Sequence, residues 1–115
     1  MEQLNRIELR GNVGTVKYTP GGNPPFAHFS LATSKAYRGK GGEAIIETQW
    51  HNVVAFEGRN IKDLEKLTKG AKVYVVGRLK DNRFTGSDGV ERTVTDVIAN
   101  RISFIDDSEP LECEI

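Results

Sequence analysis

The sequence predicts an all-β fold, a five-stranded barrel with one short helix. Three observations predict it. Apolar and polar residues alternate in five separate segments, which is the period of half-buried strands. Glycine, proline and asparagine cluster between those segments. Only one stretch, 60–70, repeats its apolar residues every three positions instead of every two.

In "NRIELRGNVG" (5–14), Ile7 and Leu9 share one face, and Arg6, Glu8 and Arg10 the other. Gly11 and Gly14 mark a bulge or tight bend, after which "TVKY" (15–18) continues the strand. "TPGGNPP" (19–25) is a loop by composition. "FAHFSLATS" (26–34) sets Ala27, Phe29, Leu31 and Thr33 on one face. "KAYRGKGGE" (35–43) reads as a glycine-rich, basic loop carrying Tyr37, and a third strand runs from about Ala44 to Phe56. "NIKDLEKLTKG" (60–70) is the helix. Ile61, Leu64 and Leu67 form its apolar face, Asn60 caps its start, Lys69 suits its C-terminal dipole, and Gly70 suits a left-handed stop. "KVYVVGRLK" (72–80) aligns Val73, Val75, Gly77 and Leu79 as a fourth strand. "DNRFTGSDGVER" (81–92) reads as a hairpin turning at Asp88-Gly89, and "TVTDVIANRISFI" (93–105) is the last strand. Three strands, a helix and two strands is the chain order of an OB-fold barrel, although other small barrels and sandwiches share that strand count.

The chain has 115 residues, enough for one domain with a modest core. No apolar run approaches the ~20 residues of a membrane span. "MEQLNRIELR" lacks the basic-then-apolar layout of a signal peptide. Cys113 is the only cysteine, so no internal disulfide forms, which suits a cytoplasmic protein. The net charge of zero hides an asymmetry. All 16 Lys and Arg but only 11 of the 16 Asp and Glu lie in residues 1–105, a balance of +5. Residues 106–115 carry −5 through Asp106, Asp107, Glu109, Glu112 and Glu114. The reading is a domain over 1–105 that meets an anionic partner, followed by a short acidic tail.

Catalysis has little to build on. His28 and His51 lie on separate strands, and no spacing of His, Cys, Asp or Glu matches a metal site. "RGKGG" (38–42) lacks the spacing and following helix of a phosphate-binding loop. The expectation is a protein with no catalytic residues, metal or cofactor.

Binding to single-stranded nucleic acid has more support, since it needs aromatic platforms for bases and cations for phosphates. Tyr37 lies beside Lys35, Arg38 and Lys40; Phe56 lies near Arg59; Phe84 lies beside Lys80 and Arg83. Phe29 and Phe104 align with other apolar residues and are read as core. "TQWHNVVAFEGR" (48–59) is ambiguous: Trp50 and Phe56 share one face and His51, Val53 and Ala55 the other, and both faces are apolar. No basic helix suited to a duplex groove is visible, because 60–70 mixes lysines with Asp63 and Glu65.

"GNVG" (11–14), "FSLATS" (29–34), "TQWHNVVAFEG" (48–58), "LTKGAKVYVVGRL" (67–79) and "TGSDGVER" (85–92) together resemble the bacterial single-stranded DNA-binding proteins, collinearly over about residues 4–105. The resemblance implies an OB-fold, association as a homotetramer, and single-stranded DNA wrapped around it. It assigns base stacking to Tyr37, Trp50, Phe56 and Phe84, with tyrosine and phenylalanine standing at 37 and 84 where many members have tryptophan. It sets His51 near a subunit interface and matches Arg6, Lys17, Arg78 and Arg92 to basic positions that meet phosphates. Lys35, Arg38, Lys40, Lys80 and Arg83 join them by proximity to an aromatic.

The chain departs from the pattern after residue 105. Typical members carry a long Gly/Pro/Gln-rich linker before an acidic tip; here only an acidic stretch of about ten residues follows, ending on Ile115, which reads as an abbreviated partner-recruiting tip of a short-tailed member. The expected role is sequence-independent binding that protects single strands in replication, recombination and repair, in the cytoplasm at the nucleoid. The alternative is a replication-restart accessory protein, a related OB-fold dimer acting mainly as a protein adaptor.

Overall fold

The computed structural model describes residues 1–105; Asp106–Ile115, the expected acidic tail, lies outside the described residues. Five strands follow one another: β1 (Ile7–Thr19), β2 (Phe26–Arg38), β3 (Ala44–Phe56), β4 (Lys72–Thr85) and β5 (Glu91–Phe104). They close into a barrel in the order β1-β2-β3-β5-β4, with β4 returning to β1. Every pairing is antiparallel except β3–β5, a short parallel contact from Asn52↔Asp96 to Val54↔Ile98. Closure leaves no free sheet edge along the barrel wall.

The alternation seen in the sequence is what fills the barrel. Leu9 and Val13 from β1, Ala27, Phe29 and Leu31 from β2, Val53 and Ala55 from β3, Val73 and Val75 from β4, and Val97 and Ala99 from β5 point inward and are buried. Burying one large apolar side chain of this kind contributes about 1.5–3 kcal/mol. In β3 this decides between two apolar faces. Val53 and Ala55 are completely buried, while Trp50 and Phe56 stand on the outside. The bend expected at Gly11 or Gly14 is a register shift between Val13 and Val16.

The expected helix is present as a single 3-10 turn, Leu64–Lys66. Asn60 does not cap it. Asp63 occupies the N-cap with left-handed backbone (φ 59, ψ 40) and no side-chain cap bond. The three-residue recurrence of Ile61, Leu64 and Leu67 matches the 3.0-residue period of that tighter turn, and all three side chains are buried over the barrel. Past the turn, the backbone pairs with β1 instead of extending a helix. Gly70, at φ 90, donates its N–H to the Val13 carbonyl at 2.8 Å, and the Val13 N–H donates to the Ala71 carbonyl at 2.8 Å. With no helix to end, Lys69 has no helix dipole to meet.

Two further expectations change. The strands of both long hairpins run further than alternation suggested. Tyr37 and Phe84 therefore sit on strands β2 and β4, not in loops. Cross-strand backbone pairing carries each ribbon past the barrel whether or not the side chains alternate. Phe104 is not core. It stands opposite Val73 on the inward side, but at the barrel's open end, where it is 38% exposed beside Lys66 and Lys69.

Candidate nucleic-acid interface

Register partners point to the same side of a sheet, so the ladders define which outward residues form one surface. One row crosses all five strands: Lys17 (β1), His28 (β2), Val54 (β3), Ile98 (β5) and Arg78 (β4). The next contains Ser30, Asn52, Asp96 and Lys80. On β3, Trp50 and Phe56 flank these rows, six residues and roughly 20 Å apart along the strand. On β4, Phe84 continues the same face beyond Arg78 and Lys80, opposite Arg92. Trp50, Phe56 and Phe84 thus share one outward wall, and each ring is about half exposed.

Tyr37 does not share it. It is the partner of Ile45, whereas Trp50 is the partner of Ala32, and the ladder between them has no shift. Tyr37 and Trp50 therefore stand on opposite faces of the β2–β3 arm. Lys35, opposite Glu47, shares the Tyr37 face; Arg38, opposite Ala44, shares the Trp50 face; Lys40 lies in the tip between the strands.

The indole of Trp50 leans back across β2 onto β1. A Cβ added at Gly14 would meet Trp50 Cζ3 at 2.5 Å and Ser30 Oγ at 2.7 Å. Only glycine leaves room for the ring there. Ser30 Oγ accepts the Thr15 N–H at 2.9 Å, which ties β2 to β1 beside Gly14. Phe56 has a neighbour as well: the Phe26 ring lies 5.8 Å away between centroids, tilted by 42°. Sequence reasoning missed Gly14 and Phe26 as site residues. Alternation placed Phe26 on the outward face with His28, which was the available signal; the contact of Gly14 with Trp50 spans two strands and leaves no local trace.

The basic candidates divide by partner. Arg6 stands on the β1–β4 wall, 3.6 Å from Glu8. That carboxylate also accepts the Tyr74 hydroxyl, and Arg10 lies over the Tyr74 ring at 5.1 Å. The Tyr74 hydrogen bond first, and the Arg6 charge second, hold the Glu8 carboxyl below the usual carboxylate range. Arg83, opposite Thr93, points to the face away from Phe84 and lies 3.8 Å from Glu91. Arg92 shares the Phe84 face but bonds Asp88 at 2.6 Å, in the predicted turn. Lys17, Lys35, Arg38, Lys40, Arg78 and Lys80 are exposed and form no ion pair with any described residue. Asp96, the one buried acid of the wall, accepts Asn82 Nδ2 at 2.6 Å.

His51 faces away from Trp50. It is opposite Leu31, with Nε2 2.9 Å from Thr33 Oγ1, and burial pushes its pKa down. Among the described residues, no group of three or more His, Cys, Asp or Glu could hold a metal ion, and no helix is long and apolar enough to cross a membrane.

Comparison with known proteins agrees with this geometry. The profile of the Single-strand binding protein family matches residues 4–105. The single-stranded DNA-binding protein of Neisseria meningitidis serogroup A is 34% identical over 107 residues, covering 89% of this chain and 60% of that protein. That of Xanthomonas axonopodis pv. citri is 37% identical over 105 residues, covering 89% and 58%. The chain thus spans less than two thirds of these curated relatives. Among solved structures, a Plasmodium falciparum SSB complex with ssDNA superposes with a TM-score of 0.75 at 32% identity, covering 92% of this chain and 98% of that one. A small single-stranded DNA-binding protein from Streptomyces coelicolor gives 0.65 at 28% identity, covering 94% and 98%.

Proposed function

The chain belongs to the single-strand binding protein family, and from that premise we propose that it binds single-stranded DNA without sequence preference. The observation that carries the proposal is the outward wall on which Trp50, Phe56 and Phe84 share one face with Lys17, Arg78 and Lys80. Bases stack on the rings, at roughly 1–3 kcal/mol each. The cations neutralise phosphates and release counterions. Rings ~20 Å apart on one strand cannot touch the same base, so the surface suits a length of strand and not a single small ligand.

The wider reading is a non-enzymatic binder that covers exposed strands in replication, recombination and repair at the nucleoid. It self-associates, as a tetramer or a dimer, with His51 at the interface. The strand-binding names of its relatives favour this over the adaptor reading. We read 106–115 as a partner-recruiting tip that competes with DNA for the basic surface, since −5 faces +5.

Trp50 is the only tryptophan, so its emission reports one site per chain. Titration with oligo(dT) at several salt concentrations is expected to quench it, with affinity falling as salt rises. No quenching, and no binding by any other assay at low salt, overturns the proposal. Deleting 106–115 is expected to raise low-salt affinity; an unchanged affinity removes the competition.

A further inference from the structure

Several exposed apolar side chains, Ile46 among them, belong neither to the core nor to the wall described above. Ile46 is 64% exposed on the β2–β3 arm. It is the partner of Ala36, on the Trp50 face of the ladder, four residues and about 13 Å along β3 from Trp50. Its neighbour Ile45 differs. Ile45 is half-buried on the other face and packs towards the arm's tip, where a Cβ on Gly39 would lie 2.7 Å from its Cδ1.

The surface between Trp50 and Ile46 is uncharged. It holds Ser34 and Thr48, whose hydroxyls lie 3.1 Å apart and satisfy each other, flanked by Ala32 and Ala36. Beyond Ile46, on the same face, comes Arg38 opposite Ala44, and then Lys40 in the tip. Neither cation has an acidic partner among the described residues. On the far face of the arm stands the exposed ring of Tyr37. A strand that stacks on both Trp50 and Tyr37 has to pass around the arm. The outer face offers a continuous route: aromatic, uncharged, aliphatic, cationic.

We propose that Ile46 is a further base-contacting residue, over which a DNA strand bound at Trp50 continues along the outer face of the arm before rounding the tip at Arg38 and Lys40 to reach Tyr37. The inference rests on the strand-binding reading and names the route within it. The occupant is the bound strand because this face is continuous with the Trp50 platform. An aliphatic side chain offers a base dispersion contact and a dry surface, but no ring to stack on. Its contribution belongs at the lower end of what base platforms give. Strand propensity alone also favours a β-branched residue at this position. Threonine keeps the branching and removes the apolar face, so Ile46→Thr separates the two roles.

The test compares wild-type, Ile46→Ala and Ile46→Thr proteins by oligo(dT) titration of Trp50 emission. Both variants are expected to bind roughly three- to tenfold more weakly. Their log–log salt slope is expected to match wild type, since every phosphate keeps its cation. A second protein, Ile46→Trp with Trp50→Phe, is expected to be quenched by oligo(dT) but not by an abasic deoxyribose-phosphate chain of equal length. Wild-type affinity in both single variants, no quenching of the double variant, or altered sedimentation that makes Ile46 a contact between copies overturns the inference. If the wild-type protein itself fails to bind oligo(dT), it is the strand-binding reading that falls.

Discussion

The indole of Trp50 occupies the space that a side chain at Gly14 would need, with Cζ3 2.5 Å from where a Cβ would sit. The two residues are 36 positions apart and two strands apart, yet one sets the pose of the other. Gly14→Ala is therefore expected to lift the ring from its floor on β1. The free protein's emission should shift, and oligo(dT) affinity should fall by up to tenfold, part of the ~1–3 kcal/mol one platform supplies. A Gly14→Ala protein with wild-type emission and affinity shows that the floor does not position the ring.

The split among the cations is read by salt dependence. Removing a cation that neutralises one phosphate should reduce the log–log slope by about 0.7. Lys17→Ala, Arg78→Ala and Lys80→Ala are each expected to do so. Arg6→Ala and Arg83→Ala are expected to change the slope less, because those guanidinium groups already lie beside the carboxylates of Glu8 and Glu91. Equal slopes for the two sets show that the partners seen in the free protein do not matter to binding.

His51 predicts a pH dependence with a definite sign. Burial lowers its pKa, so the folded state keeps the ring neutral against Thr33. Between the depressed value and the ordinary one, about 6.5, the unfolded chain binds more protons. That stability is fully present above the ordinary histidine value and is lost as pH falls from there through the depressed one. Urea unfolding between about pH 8 and pH 5 should show the loss, and His51→Gln should flatten it. An equally steep profile in that variant places the titration elsewhere. Glu8 adds a separate acid limb. Its carboxyl is lowered by Tyr74 and Arg6, so its contribution is present above the ordinary carboxylate value and lost as pH falls through the depressed one.

Much of the barrel was legible because each strand announces itself locally. Ala27, Phe29 and Leu31 alternate with polar partners, and all three are buried. The segment 60–70 was legible only in part. Its three leucine and isoleucine anchors are buried as expected, but their three-residue spacing suits a 3-10 turn as well as a helix, and left-handed Asp63 selects the turn. Phe104 was misplaced for a different reason. Its alternation is correct, but alternation does not say where a barrel ends.

By itself the sequence determined which residues within each strand share a face, because a strand's two-residue period is a property of consecutive backbone units. It placed Trp50 with Phe56 and His51 with Val53 before any neighbour was known. What only the tertiary structure decided is which of those faces is buried and which residues of different strands meet. Val53 is core because β2 and β5 close on either side of it, and Trp50 rests on Gly14 because β1 lies two strands away. Tyr37 stands across the arm from Trp50 because Tyr37 pairs with Ile45 and Trp50 with Ala32. Register is a relation between strands, and a shift of one residue reverses every such assignment, so no pattern within a single strand can carry it.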